Sequence, residues 1–330
     1  MRDSCIEARR YGPKMLDSPS TSSTIAALNG PCRRMRNMAE HPSVRTIFAP
    51  YDSGHRGLRM GAGPDHLMGN GLPKMLRSTE RPSLSFAHVR PEVDPPAEVA
   101  TAFELDRLVA EQVREAVAGG EFPLVLSGNC NTAVGTISGL DASDLGVVWF
   151  DAHADFNTPE TTTTGFTDGM GLAVAVGHCW KEMASGVPGF SAMAERDVVL
   201  AGVRTMEPAE EERLAASDVS VVGADLIGME GPGTLEVTLD GLKSRVGRVY
   251  VHIDLDVLDP EKASKANEFA PAGGLSAEDL RTALCVVRER FAIAAVGMAS
   301  YDPAFDADGR VLAVALACVR MLTAPTESTV

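Results

Sequence analysis

The 330-residue chain contains no run of eighteen uninterrupted apolar residues, so no segment reads as a membrane-spanning helix. Its N-terminal region lacks the apolar core of seven or more residues that a secretory signal needs. Positive charge is in deficit: 30 Lys and Arg against 45 Asp and Glu leave a net −15. That balance speaks against nucleic acid and anionic membranes as partners and fits a small cationic ligand. The six cysteines, at 5, 32, 130, 179, 285 and 318, follow no regular spacing, and a chain of this size needs no stapling. Reduced thiols and a cytoplasmic setting are therefore expected. What remains is ordinary for a globular protein, 45% hydrophobic and 23% charged, with enough chain for one large α/β domain or two smaller ones.

Residues 1–40 are rich in Ser, Arg and Met and show no sustained period. They predict a flexible extension over 1–44 ahead of a single domain over 45–330. From there apolar strands alternate with helical patterns. Strands are expected at 46–50, 123–126, 146–150, 198–203, 219–222, 249–254 and 292–298, and helices at 103–118, 207–216, 276–290 and 310–322. Near-continuous apolar strands separated by helices predict an α/β, three-layer architecture: a mostly parallel central sheet with helices on both faces. The ligand crevice of such a sheet lies at the carboxyl ends of its strands.

Two strand ends carry acids. One reads Val147-Val-Trp-Phe-Asp151-Ala-His153-Ala-Asp155-Phe-Asn157, the other Val249-Tyr-Val-His252-Ile-Asp254-Leu-Asp256-Val-Leu-Asp259-Pro260. Side chains of a strand alternate, so Asp151, His153 and Asp155 share one face, as do Asp254 and Asp256. Either motif alone more often satisfies a turn or caps a helix. Together they place four carboxylates and an imidazole near one pocket, which is costly without a counter-charge and points to two divalent ions. Oxygen plus imidazole donors suit Mn, Zn, Fe or Co better than Ca or Mg.

These motifs resemble the ureohydrolase family, which includes the arginases and agmatinases and is similar in fold to the histone deacetylases. Arg59-Met-Gly61-Ala-Gly63-Pro64-Asp-His-Leu67 is similar to the family's early Gly-x-Gly-Pro turn, and Ser127-Gly128-Asn129-Cys130-Asn131-Thr-Ala-Val-Gly135 to its first ligand motif. Residues 151–164 and 254–260 are similar to the second and third, and the likeness runs over about residues 45 to 325. The resemblance implies an arginase/deacetylase-like fold and two Mn2+ ions. Cys130, Asp151, Asp155 and Asp254 would hold one, and Asp151, His153, Asp254 and Asp256 the other. It further implies a shared hydroxide that attacks a guanidinium carbon to release urea or an analogue. The partner is then a small cationic or polar guanidino-type substrate, and the chain a homo-oligomer.

Four positions depart from the family pattern. Cys130 stands where a ligand His is usual; read alone it is a small buried hydrophobe, and as a ligand it favours Zn2+ or Fe2+ as alternatives to Mn2+. Asp168 replaces the His that shuttles protons. His252 is an alternative proton carrier or else a residue that orients a ligand. Ser300 replaces the acid that grips the guanidinium, with Asp302 two residues on and expected on the same side if the strand continues. Asn267-Glu268-Phe269 replaces a Thr-rich stretch, which implies a changed pocket. Asn157, Thr162 and Thr164 match positions that touch the amino-acid end of the substrate, and Glu207 one that faces its α-amino group. Against these stand a hydroxyl-rich turn bonding its own backbone and an acid favoured at a helix start. The departures resemble a cysteine-ligand branch typified by the N-omega-hydroxy-L-arginine amidinohydrolase. The expected activity is manganese-dependent amidinohydrolysis. Amide or acetyl-amine hydrolysis, and metal binding without turnover, are the alternatives.

Overall fold

The computed structural model describes residues 43–77, 83–92, 97–228 and 233–324. The extension expected over 1–44 lies outside the described residues except for its last two, which open the first strand. Ten strands run in chain order: β1 (Ser43–Ala49), β2 (Tyr51–Asp52), β3 (His55–Arg56), β4 (Ser83–His88), β5 (Glu121–Ser127), β6 (Leu145–Phe150), β7 (Val198–Val203), β8 (Ser220–Gly223), β9 (Arg248–Asp254) and β10 (Ala292–Ala299). The longer helices are α1 (Glu98–Ala118), α2 (Thr132–Gly139), α3 (Pro208–Ala215), α4 (Gly233–Lys243), α5 (Ala277–Arg290) and α6 (Arg310–Thr323).

Eight strands form one sheet in the order β4-β1-β5-β10-β9-β6-β7-β8, and every pairing in it is parallel. Strand alternation then sorts the apolar side chains into two layers. Val148, Phe150, Val251 and Ile253 pack with α4, α5 and α6. Val147, Trp149 and Tyr250 pack with α1 and α2 on the other face. Both faces are covered, which is why the inner strands read as unbroken apolar runs. Each fully buried Val or Ile here is stabilised by about 1.5–3 kcal/mol relative to exposure.

Besides the two-residue strands β2 and β3, three of these elements were not legible. Helix α2 holds two glycines and three hydroxyl residues, which are weak helix formers. Edge strand β4, Ser83-Leu-Ser-Phe-Ala-His88, is partly exposed along its length and too polar to stand out. Helix α4 opens at Gly233, the last residue of a Gly-Pro-Gly sequence that masks its helical period. Cys130, Cys179 and Cys318 are free thiols as expected, but Cys285 is disulfide-bonded. Irregular spacing argues against a disulfide framework without excluding a single bridge.

The β1–β3 segment and the loop after β5 are locked together by glycines. A Cβ at Gly128 would lie 2.1 Å from the Tyr51 carbonyl and 2.7 Å from the Gly61 nitrogen, and one at Gly63 would lie 2.3 Å from the Tyr301 carbonyl. The early Gly-x-Gly-Pro turn thus serves as a wedge that seats the loops following β5 and β10. Gly128→Ala should cost about 1–3 kcal/mol through overpacking. Urea denaturation would show the loss, and a shift below ~0.5 kcal/mol would contradict this close approach.

Candidate metal centre

The loops after β5, β6, β9 and β10 meet above the middle of the sheet, because those four strands are contiguous in it. Strand β6 stops at Phe150, and Asp151 and the residues after it form a loop. The Asp151 carboxylate accepts from its own chain, Trp149 Nε1 at 2.9 Å and His153 N at 2.7 Å. Asp155 takes a left-handed backbone, φ +51, which turns its side chain back toward Asp151. After β9, Asp256 sits in a helical turn over Leu255–Val257 and donates its N–H to Asp254 Oδ1 at 2.8 Å. Strand alternation therefore does not bring these groups together, contrary to expectation. It relates only His252 and Asp254, and the rest converge through turns.

Among the described residues, two groups of metal-ligand type result. Cys130, Asp151 and Asp155 bring one donor atom each within 4.8 Å of one another, and so do Asp151, His153 and Asp256. Asp151 belongs to both. Asp254 belongs to neither group, but its Oδ2 accepts from Cys130 Sγ at 3.0 Å, while Ser300 Oγ lies 3.5 Å from that sulfur. His153 Nδ1 is 3.2 Å from Asp256 Oδ2. A cavity of about 290 Å³ opens over His153, Asp155, Asp254 and Asp256.

With that geometry in view, the comparisons with known proteins are decisive. The Arginase family model matches residues 44–323. This chain belongs to the arginase family. It is 31% identical to the arginase of Bacillus caldovelox over 225 residues, which cover 66% of this chain and 74% of that protein. It is 32% identical to the mitochondrial arginase-2 of Rattus norvegicus over 279 residues, 77% of this chain and 76% of the relative. The crystal structure of arginase from Bacillus subtilis subsp. subtilis str. 168 superposes with a TM-score of 0.76 at 26% identity, covering 86% of this chain and 99% of that one. The arginase family comprises hydrolases that use a binuclear metal site, typically Mn2+.

The donor set fits such ions on its own terms. Asp155 is buried, and its Oδ2 has no hydrogen-bond partner. Burial pushes the Asp155 and Asp254 carboxyls well above the usual range, and neighbouring acids push further. Burial does the same to the Cys130 thiol, followed by the charges of Asp254, Asp168, Asp155 and Asp151. At His153, burial works against the charged form, but Asp256 and Asp151 outweigh it and raise the imidazole to about 12. At Asp256 burial is likewise overridden, chiefly by His153, and the carboxyl falls to about 2. Both positions therefore favour charge.

The expected substrate-side residues divide. Asn157, Thr162, Thr164, Asp168, Glu207 and Ser300 line the cavity, whereas His252 and Asp302 do not. His252 lies one layer below, stacked on Trp149 at 3.9 Å between centroids and bonded to the Tyr250 hydroxyl at 2.9 Å. Burial lowers its pKa to about 3. Asp302 turns away because Ser300, at φ +64, ends the strand's alternation; its Oδ1 instead accepts from Ala304 N at 2.9 Å. Asp168 accepts from Asn129 Nδ2 at 2.6 Å and Asn131 N at 3.2 Å. Burial still pushes it up to about 8.

Three cavity or support residues escaped the reading of the sequence. Glu210 lines the cavity and accepts from Phe156 N and Glu207 N at 2.9 and 3.1 Å. Its signal was the Glu207-Pro-Ala-Glu210 spacing of a capping box at the start of α3. Phe166 lines the mouth, within the Thr-rich loop. Arg204 spreads its guanidinium over the carbonyls of Asp256, Val257, Leu258, Pro271 and Ala272 at 2.8–3.3 Å. It holds the Asp256 turn from behind, and nothing in its local sequence marks it.

These acids make metal-free stability depend on pH with a definite sign. Asp168 is raised from 3.8 to about 8, and Asp151, Asp155 and Asp254 are raised too. Over this interval the folded state binds more protons than the unfolded one, so stability falls as pH rises from about 4 toward 8. Thermal unfolding of chelator-treated protein should show a lower Tm at pH 7.5 than at pH 5, and added Mn2+ should abolish the difference. A metal-free Tm that rises across that window would contradict the clustering.

Proposed function

We propose that this chain hydrolyses a C–N bond of a guanidino or hydroxyguanidino compound, releasing urea or a urea analogue, at a centre of two divalent ions. The observation that supports it most is Asp151, shared by two donor groups that otherwise use different side chains. Cys130, Asp151, Asp155 and Asp254 would hold one ion, and Asp151, His153, Asp254 and Asp256 the other. Two such ions would lower the pKa of water toward neutrality and offset negative charge developing on the heteroatoms around the attacked carbon. Mn2+ is the family's usual metal; a Cys130 thiolate shifts preference toward Zn2+ or Fe2+.

The chain's own groups account for the rest. Asp168 lies on the cavity wall with a carboxyl near 8, in the range where a general acid or base works at neutral pH. Asn129 and Asn131 hold both of its oxygens toward the loop of Cys130. His252, sealed beneath the cavity, is a positioning residue. It braces Trp149, whose indole N–H fixes Asp151. Ser300 supplies no charge where the family has an acid, and Asp302 faces elsewhere. A substrate less basic than guanidinium suits that gap, because it needs no bidentate carboxylate. A hydroxyguanidine has that property, which favours the cysteine-ligand branch.

The test loads the protein with Mn2+, supplies guanidino and hydroxyguanidino compounds, and measures urea or hydroxyurea. Product is expected; tight binding without product, or acetate released from acetylated amines instead, would replace this reading. Cys130→His should keep or raise bound Mn2+, whereas loss of folding at unchanged metal content would reduce Cys130 to packing. Asp254→Asn should remove at least one ion per chain and slow turnover about a hundredfold or more, the scale of losing one charge contact to a reacting centre. Unchanged metal stoichiometry would refute its assignment.

A further inference from the structure

The cavity's outer half differs in chemistry from its floor. The polar groups expected to receive an amino-acid end are largely spent on their own loop. Thr162 Oγ1 accepts from Gly165 N at 3.0 Å and Thr164 Oγ1 from Phe166 N at 3.2 Å. Asn157 Oδ1 accepts from Thr161 Oγ1 at 2.9 Å. Glu207 takes the N–H of Thr163 at 2.7 Å and also caps α3. These bonds engage the acid and the hydroxyls in fixing the backbone of the turn.

What that turn presents to the cavity is Phe166. Its ring meets that of Phe269, from the segment following the third acid motif, at 5.3 Å between centroids and a 33° tilt. Both rings line the cavity, as do Met60 and Met206. Phe269 remains 44% exposed, an apolar surface open to a ligand. Among the described residues the lining contains no Lys or Arg, so no side chain there offers a carboxylate a cationic partner, while Glu207 repels one. Aromatic faces with adaptable thioethers beside them are suited to hydrocarbon.

Resting on the guanidino reading above, we infer that the substrate carries an uncharged hydrocarbon tail, aryl or alkyl, that packs on the Phe166–Phe269 pair. These two residues would set specificity by favouring that tail over a zwitterionic one.

The experiment compares benzylguanidine, butylguanidine and their N-hydroxy forms with arginine, N-hydroxyarginine and agmatine on the Mn2+-loaded protein. Urea or hydroxyurea release gives kcat and KM, and calorimetry gives affinity. At matched head group, guanidine or N-hydroxyguanidine, the hydrocarbon-tailed compounds should exceed the others in kcat/KM by about tenfold or more, the discrimination a hydrophobic pocket supplies. Phe269→Ala and Phe166→Ala should bring that ratio toward one mainly through KM, and Phe269→Leu should restore part of it. Circular dichroism would confirm that each variant folds. Preference for arginine, N-hydroxyarginine or agmatine, or a ratio untouched in both Ala variants, would overturn the inference while leaving the hydrolytic reading intact. Benzylguanidine and its N-hydroxy form that bind without turnover, with no product from any other compound, and bind more weakly to Phe269→Ala, would support the inference and defeat the hydrolytic reading. No binding by any guanidine would defeat both.

Discussion

Like charges held close in a dry hollow are the constraint on which this molecule is organised. At about 4 Å and an effective dielectric constant near 20, each pair of carboxylates repels by about 4 kcal/mol. Asp151, Asp155, Asp254 and Asp256 are all buried, with a thiol beside them. A fold tolerates this either by keeping protons on some of the acids or by placing cations between them. The raised carboxyls and the charged His153 describe the first condition; the shared Asp151 and the unsatisfied Asp155 Oδ2 describe readiness for the second.

The sheet makes the cluster unavoidable. Strands β5, β10, β9 and β6 lie side by side, so loops far apart in sequence emerge within reach of each other. Glycines then bring the backbones closer than side chains would allow. At Gly202, whose φ is +98, a Cβ would lie 2.4 Å from Val257 Cγ2 and 3.1 Å from the Asp151 carbonyl. Beneath the acids, Tyr250, His252 and Trp149 form a packed column that ends in the hydrogen bond to Asp151. The centre is therefore held from the side by backbone contact and from below by aromatic stacking.

Much of this was readable from the residues. Inner strands with both faces covered carry an unmistakable apolar run, and acids at the ends of two of them indicate a metal site. The reason first given for convergence was nevertheless incomplete. Alternation applies only while the chain stays extended, and Asp151, His153, Asp155 and Asp256 lie beyond that limit. The same limit explains Asp302, which counting by twos puts in the cavity and the left-handed Ser300 turns out of it. Glu210 was hidden because a capping acid and a cavity acid look alike in sequence. Arg204 was hidden because its five partners are carbonyls, which leave no trace in side-chain patterns. Phe166 follows a run of threonines and a glycine, where a single aromatic residue carries no periodic signal.

Arg204 has a consequence for how the molecule would respond to its ions. One rigid guanidinium clamps both the Asp256 turn and the stretch at Pro271 and Ala272, two residues past Phe269. Floor and rim of the cavity therefore share a single rivet. A small shift of the Asp256 turn on ion capture would be passed to the aromatic rim, so that the filled centre and the shape of the entrance are set together.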